Sequence, residues 1–236
     1  GVFACPDWMV DRVGPKAGPD PLVITAEKYN EWTVRAEVCK GPKPEGLEAM
    51  ELVTNQTARL ERKLFIHNGG HAICGYLGWH RGHRFIHEAV ADPIVLAGVV
   101  GALNELGEVI LRKWPEFSRE EIDAYKAELG ERGANPAMRD PVARVVRDPL
   151  RKLAPGDRLL GPTALAVEYG LPHAYLAQGI AAVLRYFSPE DEQSVRLRTL
   201  LAEKPLTTVL EEVCAVAPDS PLSAELAAAY EAFDLT

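Results

Sequence analysis

The residues best suited to chemistry are Lys63, Asn68 and His71, which surround a pair of glycines. On a regular α-helix, which turns about 100° per residue, His71 lies about 80° from Lys63 and Asn68 lies about 140° from it. Asn68 therefore faces a neighbouring wall unless the helix deforms. Gly69 and Gly70 each weaken a helix by roughly 1 kcal/mol relative to alanine. They also leave room for a close neighbour, and a ligand is one candidate.

These three residue types suit a reaction that interconverts an alcohol and a carbonyl. A lysine desolvated in a pocket has a lowered pKa and can exchange a proton with a substrate oxygen near neutral pH. The amide of Asn68 and an N–H group of His71 can donate hydrogen bonds to the developing alkoxide. Spacing alone leaves a second interpretation open, in which Lys63 is solvated and the other two residues only pack between helices.

A basic stretch at residues 139–158 is the second candidate, because it holds six basic side chains against three acidic ones in a chain of net charge −8. Arginine binds phosphate oxygens bidentately, and lysine binds them as a point charge. This stretch could therefore hold a phosphate group away from the reacting carbon. The alternative is that its arginines pair with nearby carboxylates. The candidate phosphate ligands are Arg147, Arg151, Lys152 and Arg158.

Histidines spaced four residues apart raise the question of a metal site. His67 and His71 form one such pair, and His83 and His87 form another. No HExxH motif occurs, since Asn68 follows His67, and no second cluster supplies an obvious third ligand. We therefore predict no metal site and interpret His67 as a partly exposed surface residue.

Helical patterning from Glu48 onward predicts the scaffold that positions these residues. The first helix should cover residues 55–78, with a bend at the two glycines. Asp92-Pro93 should cap an apolar, buried helix over residues 94–114. A helix is predicted over 118–129, ended by Gly130 and Gly133, and another over 163–187 with a break near Gly170. Two more helices should start at Ser188 and at Ser220. The stretch 139–158 should contain short helical pieces.

Residues 1–50 are rich in glycine and proline and contain three β-like runs, at 9–13, 22–25 and 31–38. So few strands do not form a stable sheet alone, so we expect them to complete a sheet whose other strands lie upstream. The prediction is a mainly α chain, with a short β segment over 1–50 and an all-α domain over 51–236.

Composition narrows the classes of protein to consider. The chain has 236 residues, of which 47% are hydrophobic and 25% charged, as in a folded globular protein. The acidic balance argues against a nucleic-acid-binding role. No run of about 18 uncharged apolar residues appears, which argues against a membrane protein. The four cysteines are widely spaced without a CxxC pair, which predicts reduced thiols and a cytoplasmic location.

The stretch Lys63-Leu-Phe-Ile-His-Asn68-Gly-Gly-His71 resembles the K-x4-N-x2-H signature of the long-chain mannitol dehydrogenase family. Residues 147–159 and 168–173 resemble the mannitol-1-phosphate branch of that family, and the similarity runs over nearly the whole chain. The resemblance implies a helical domain like the C-terminal domain of 6-phosphogluconate dehydrogenase. It also implies an NAD-dependent oxidoreductase that interconverts mannitol 1-phosphate and fructose 6-phosphate.

By this resemblance, Lys63 is the general acid/base, Asn68 a polarising donor and His71 a substrate-orienting group, while His173 lines the same pocket. The family carries an N-terminal Rossmann domain, but this chain has no GxGxxG motif after a strand. We therefore expect that domain, and the residues that bind NAD, upstream of residue 1. The isolated chain should be inactive.

Two other functions remain open. One is a polyol or hexuronate dehydrogenase of the same superfamily that acts on an unphosphorylated substrate, which would leave Arg151 and Lys152 with little role. The other is a non-catalytic helical domain that binds a sugar phosphate or a partner chain.

Overall fold

The computed structural model describes residues 8–11, 16–17, 24–25, 31–43 and 45–235. The chain divides into two compact units, Gly1–Glu61 and Arg62–Thr236. The second unit is helical in its described residues, and the β-strands belong to the first. The predicted mainly α fold with a short N-terminal β segment is confirmed.

The strands of the first unit form two small sheets. In the larger sheet the order is β1-β4-β5, with β1 antiparallel and β5 parallel to β4, and β2 pairs with β3 separately. The predicted run at 31–38 is a strand only as far as Arg35 and then forms a 3-10 turn, Ala36–Val38. The strands are β1 (Trp8–Asp11), β2 (Lys16–Ala17), β3 (Ile24–Thr25), β4 (Glu31–Arg35) and β5 (Met50–Val53).

Strand β5 shows that the prediction of a helix pattern from Glu48 onward was wrong at its start. Met50 and Val53 are buried, with 2% and 7% of their surface exposed. The four residues pair in register with β4, from Trp32 opposite Met50 to Arg35 opposite Val53. A tertiary partner therefore decided the conformation of a segment that is too short to reveal its own period.

The helix predicted over 55–78 is present as three consecutive elements: α1 (Gln56–Arg62), a π-helical turn (Lys63–Gly69) and α2 (Gly70–His80). The remaining helices are α3 (Ile86–Ala91), α4 (Pro93–Lys113), α5 (Arg119–Ala134), α6 (Val142–Val145), α7 (Pro149–Lys152), α8 (Leu160–Tyr169), α9 (Ala174–Leu184), α10 (Glu192–Glu203), α11 (Leu206–Cys214) and α12 (Pro221–Ala232).

Two predicted helix boundaries were wrong. Helix α5 continues through Gly130 and Gly133, since neither glycine adopts the left-handed conformation that ends a helix. Helix α10 starts at Glu192 and not at Ser188, because the side chain of Asp191 accepts hydrogen bonds from the backbone of Gln193 and Ser194. The predicted caps of the other helices are confirmed, including Asp92 before α4 and Ser220 before α12.

Helix α2 is the centre of the second unit and packs against α3, α4, α6 and α9. Its side chains at Ile73, Tyr76 and Leu77 have at most 1% of their surface exposed. Glycines allow the neighbouring helices to approach. A β-carbon on Gly75 would lie 2.7 Å from a methyl carbon of Val145 in α6, and one on Gly179 of α9 would lie 2.7 Å from Ile73.

Helix α4 is less buried than its sequence predicted. Ile94, Leu96 and Val100 on its outer face are 43%, 42% and 47% exposed. By length and composition this helix could cross a membrane, but half of its most apolar stretch is buried within the protein.

We expect Gly75→Ala and Gly130→Ala to change stability in opposite directions. A methyl group at Gly75 would overlap Val145, and such overpacking costs about 1–3 kcal/mol. Gly130 is exposed inside α5 with nothing within 4 Å of an added β-carbon, so alanine should stabilise by roughly 0.5–1 kcal/mol. Urea unfolding of both variants measures the two effects. Equal shifts would show that α6 does not press against α2 in solution.

Candidate active site

The turn that carries Lys63 is not α-helical, because residues Lys63–Gly69 form a π-helix. An α-helical turn closes after 3.6 residues, whereas i→i+5 hydrogen bonds widen the turn to more than four residues. Lys63 and Asn68 are five residues apart, so the wider turn moves Asn68 toward the face of Lys63. Both are partly exposed, whereas Phe65 and Ile66 are buried. Of the two alternatives for Asn68, a neighbouring wall or a deformed helix, the structure therefore shows the deformed helix.

The two glycines where this turn meets α2 lie directly against other segments of the protein. A β-carbon on Gly69 would lie 2.8 Å from the carbonyl oxygen of Arg158, and one on Gly70 would lie 2.6 Å from a methyl carbon of Leu103. The first contact brings the end of the basic stretch directly against the turn that carries Asn68. The glycines therefore assemble the site by letting the backbone of another segment approach.

His71, in the first turn of α2, pairs with a carboxylate. Its Nε2 lies 3.1 Å from Oδ2 of Asp140. Arg144 donates to both oxygens of the same carboxylate, at 2.8 Å from Nε and 2.7 Å from Nη2. Burial of Asp140 acts to raise its pKa, but the hydrogen bonds from His71 and Arg144 outweigh burial and hold the pKa below its ordinary value. Asp140 is therefore ionised at neutral pH.

The backbone also holds Asp140 in place. Its carbonyl accepts a hydrogen bond from the N–H of Ile86 at 2.9 Å, and Arg139 before it adopts a left-handed conformation with φ of 44°. A non-glycine residue in that region carries strain that the surrounding contacts must offset. Asp140 was not predicted from the sequence as a site residue, and it was counted only as one of the three acids in the basic stretch. Nothing in the pattern connects it with a histidine 69 residues earlier.

Lys152 is the most deeply buried of the predicted phosphate ligands, with 4% of its surface exposed. Its ammonium donates to the carbonyl of Arg147 and lies 5.8 Å from the ring centre of Tyr76. Burial, together with the charges of Arg151 and Arg158, lowers the pKa of Lys152 to about 8. The structure thus places a lysine with a depressed pKa beneath the basic stretch.

The three predicted arginines lie nearer the surface. Arg151 has 48% of its side chain exposed and lies 3.5 Å from a carboxylate oxygen of Asp148. Arg158 donates to Asp157 at 2.8 Å. Arg147 is exposed and bonds weakly to the carbonyl of Arg144. Pairing with local aspartates therefore occurs for two of the three, and of these two Arg158 has only 16% of its side chain exposed.

His173 lies directly before α9, and each of its ring nitrogens forms a hydrogen bond with another residue of the chain. Nδ1 lies 2.9 Å from the carbonyl oxygen of Leu171, and Nε2 lies 2.5 Å from the carboxylate of Glu225 in α12. Partial burial lowers the pKa of His173, but these two acceptors outweigh burial and raise it above its ordinary value. A charged ring satisfies both contacts, since both partners only accept. These bonds join the loop before α9 to α12, whereas the resemblance places His173 in the substrate pocket.

The described residues contain neither a metal-binding cluster nor the β-α-β unit of a Rossmann fold. No group of three or more His, Cys, Asp or Glu side chains among them could hold a metal ion. The parallel strands β4 and β5 are joined by a 3-10 turn and loops, whereas a Rossmann unit joins its strands through a glycine-rich turn and a helix. In the same residues, Cys39, Cys74 and Cys214 are free thiols; Cys5 lies outside them.

Comparison with known proteins identifies relatives of the helical part. A family model described as the mannitol dehydrogenase C-terminal domain matches residues 57–234. The Pseudomonas fluorescens mannitol 2-dehydrogenase, solved as a ternary complex with NAD and D-mannitol, is similar with a TM-score of 0.72 at 20% identity. A substrate-free D-sorbitol dehydrogenase gives a TM-score of 0.76 at 19% identity. Each match covers 95% of this chain but only 50% or 51% of the solved chain.

We expect Lys152→Met to abolish a rise in stability at alkaline pH. The folded-state pKa of Lys152 is about 8 and its ordinary value is 10.5. Between these values the unfolded chain binds more protons than the folded chain, so the free energy of unfolding increases with pH. Over the whole window the increase amounts to roughly 3 kcal/mol.

Urea unfolding of the wild type and variant at pH 7, 8 and 9 measures this effect, because the difference between the two chains cancels the titration of other groups. Lys204→Met is the control, since Lys204 forms an exposed ion pair with Glu212. The same pH slope in the wild type and Lys152→Met would contradict the burial of a titrating ammonium.

Proposed function

The chain belongs to the mannitol dehydrogenase C-terminal domain family, and we propose that it supplies the substrate side of an NAD-dependent enzyme interconverting D-mannitol 1-phosphate and D-fructose 6-phosphate in the cytoplasm. The observation that carries this proposal is the π-helical turn, which holds Lys63 and Asn68 immediately before His71. π-Turns inside helices occur frequently at functional sites.

Lys63 and Asn68 carry out the proton transfer and stabilise the charge at the reacting oxygen. In the oxidation direction Lys63, in its neutral form, takes the proton from the reacting hydroxyl group, and in reduction its ammonium returns it to the carbonyl oxygen. The amide of Asn68 donates a hydrogen bond to the same oxygen as negative charge develops on it. NAD supplies the hydride acceptor. We place its binding site mainly in the domain expected upstream of residue 1.

The phosphate group of the substrate is assigned to the basic stretch. The carbonyl of Arg158 lies against Gly69, so this stretch borders the turn that carries Asn68. Arg147 and Arg151 are exposed and present guanidinium N–H groups to solvent. The buried charge of Lys152 adds positive potential beneath them. A phosphate held there would fix one end of the substrate while the other end reacts.

The NAD-binding half is proposed to be a Rossmann domain preceding this chain in the complete enzyme. The chain spans about half the length of the solved structures that it matches, and one of those was solved with NAD bound. In this arrangement the helical unit alone binds substrate groups but does not catalyse turnover.

A second candidate is a dehydrogenase of unphosphorylated polyols. The two similar structures are named for mannitol 2-dehydrogenase and D-sorbitol dehydrogenase. The pairing of Arg151 with Asp148 and of Arg158 with Asp157 also favours this candidate, because a paired guanidinium is partly neutralised. The two functions differ in what the basic stretch binds.

Replacing Lys63 by alanine should lower kcat of the complete enzyme about 10²–10⁴-fold, the usual contribution of a general acid/base. The measurement is NADH formation from mannitol 1-phosphate across the pH range. Lys126→Ala is the matched control, since Lys126 pairs with Asp123 in α5. Near-normal activity of Lys63→Ala at its own optimum pH would rule out the assigned role.

Replacing Arg151 by glutamine should raise KM for mannitol 1-phosphate at least about tenfold, because a charge-assisted hydrogen bond contributes roughly 1.5–3 kcal/mol. KM for free mannitol should stay unchanged. Arg119→Gln serves as control, since Arg119 binds Glu108 at the surface of α5. A wild-type enzyme that prefers free mannitol, with Arg151→Gln indistinguishable from it, would select the second candidate.

A further inference from the structure

We propose that Asp140 is a positioning residue, which fixes the imidazole of His71 so that its Nδ1 accepts a hydrogen bond from a substrate hydroxyl group. The inference rests on the proposed function, because it assigns a partner to a residue of the same site. It concerns both hydroxyl-rich substrates considered above, the phosphorylated and the free polyol.

The direction of the hydrogen bond follows from the chemistry of the pair. An ionised carboxylate only accepts, so the proton in the contact of 3.1 Å must belong to Nε2 of His71. A neutral imidazole carries one N–H group, and its other nitrogen presents a lone pair. In the neutral ring, with Nε2–H committed to Asp140, Nδ1 is an acceptor and not the donor to the alkoxide expected from the sequence. A polyol offers hydroxyl donors next to its reacting carbon, which suits this nitrogen.

The carboxylate can impose this choice because it is held more firmly than the histidine. Arg144 donates hydrogen bonds to both of its oxygens, and the backbone carbonyl of Asp140 accepts a hydrogen bond from Ile86. The Asp140 side chain is 18% exposed and that of His71 is 31% exposed. The fixed member of the pair therefore lies deeper, and the oriented ring is the one that remains accessible.

The location of the pair also fits a role in binding. His71 is eight residues after Lys63 and begins α2 directly after the π-helical turn. Its neighbour one turn later, Gly75, packs against α6, whose Arg144 holds Asp140. The segment from Asp140 to Arg144 is thus clamped beside the helix face that carries His71.

The test is a double-mutant cycle in the complete enzyme with Asp140→Ala, His71→Ala and their combination. Asp140→Ala should raise KM for the polyol substrate about tenfold and change kcat less than about threefold, since it weakens an orienting contact. In the His71→Ala background the same change should have no further effect. Asp140→Glu, which keeps the charge, should recover part of the loss. Asp123→Ala, which removes a carboxylate paired with Lys126 in α5, is the control.

A measurement independent of turnover separates failure of this inference from failure of the proposed function. Proton NMR of this chain should show a slowly exchanging imidazole N–H resonance that disappears in Asp140→Ala and in His71→Ala. Its absence from the wild type would overturn the inference, as would an Asp140→Ala effect on KM that persists without His71. An enzyme inactive on every polyol would refute the proposed function. The NMR result would still show whether Asp140 holds the N–H group of His71.

Discussion

The close approach of other backbone segments to one helix is the constraint on which the site depends. The missing side chain at Gly69 lets the carbonyl of Arg158 reach the π-helical turn, and the missing side chain at Gly75 lets α6 lie against α2. The first contact places Arg158, at one end of the basic stretch, against the turn that carries Asn68, and the second holds α6, inside that stretch, against the helix that carries His71. Since interiors are close-packed, an extra methyl group at either point would push one half of the site away from the other.

Charge in this site is controlled by burial and pairing. Asp140 is buried far enough to be fixed, but two donors keep it ionised. Burial and the charges of Arg151 and Arg158 lower the pKa of Lys152 to about 8. The arginines with exposed side chains keep their charge at every physiological pH. The basic stretch therefore carries an ionised carboxylate at Asp140, a lysine with a lowered pKa at Lys152, and arginines that are always charged.

The family and the fold of the helical unit are established by two separate comparisons. The family match covers the helical unit, and the similarity to solved dehydrogenases at about 20% identity establishes the fold. A fold supports many activities, so the substrate of each member depends on the side chains that line its site.

By itself the sequence determined the helical architecture, most helix starts and the Lys63, Asn68 and His71 signature, because capping residues and apolar spacing act within a few residues of themselves. It did not determine strand β5, the start of α10 or the shape of the turn at Lys63–Gly69. Those features depend on contacts with distant segments. The partnership of His71 with Asp140 belongs to the same class, since 69 residues separate two side chains that only packing of α2 against α6 brings to 3.1 Å.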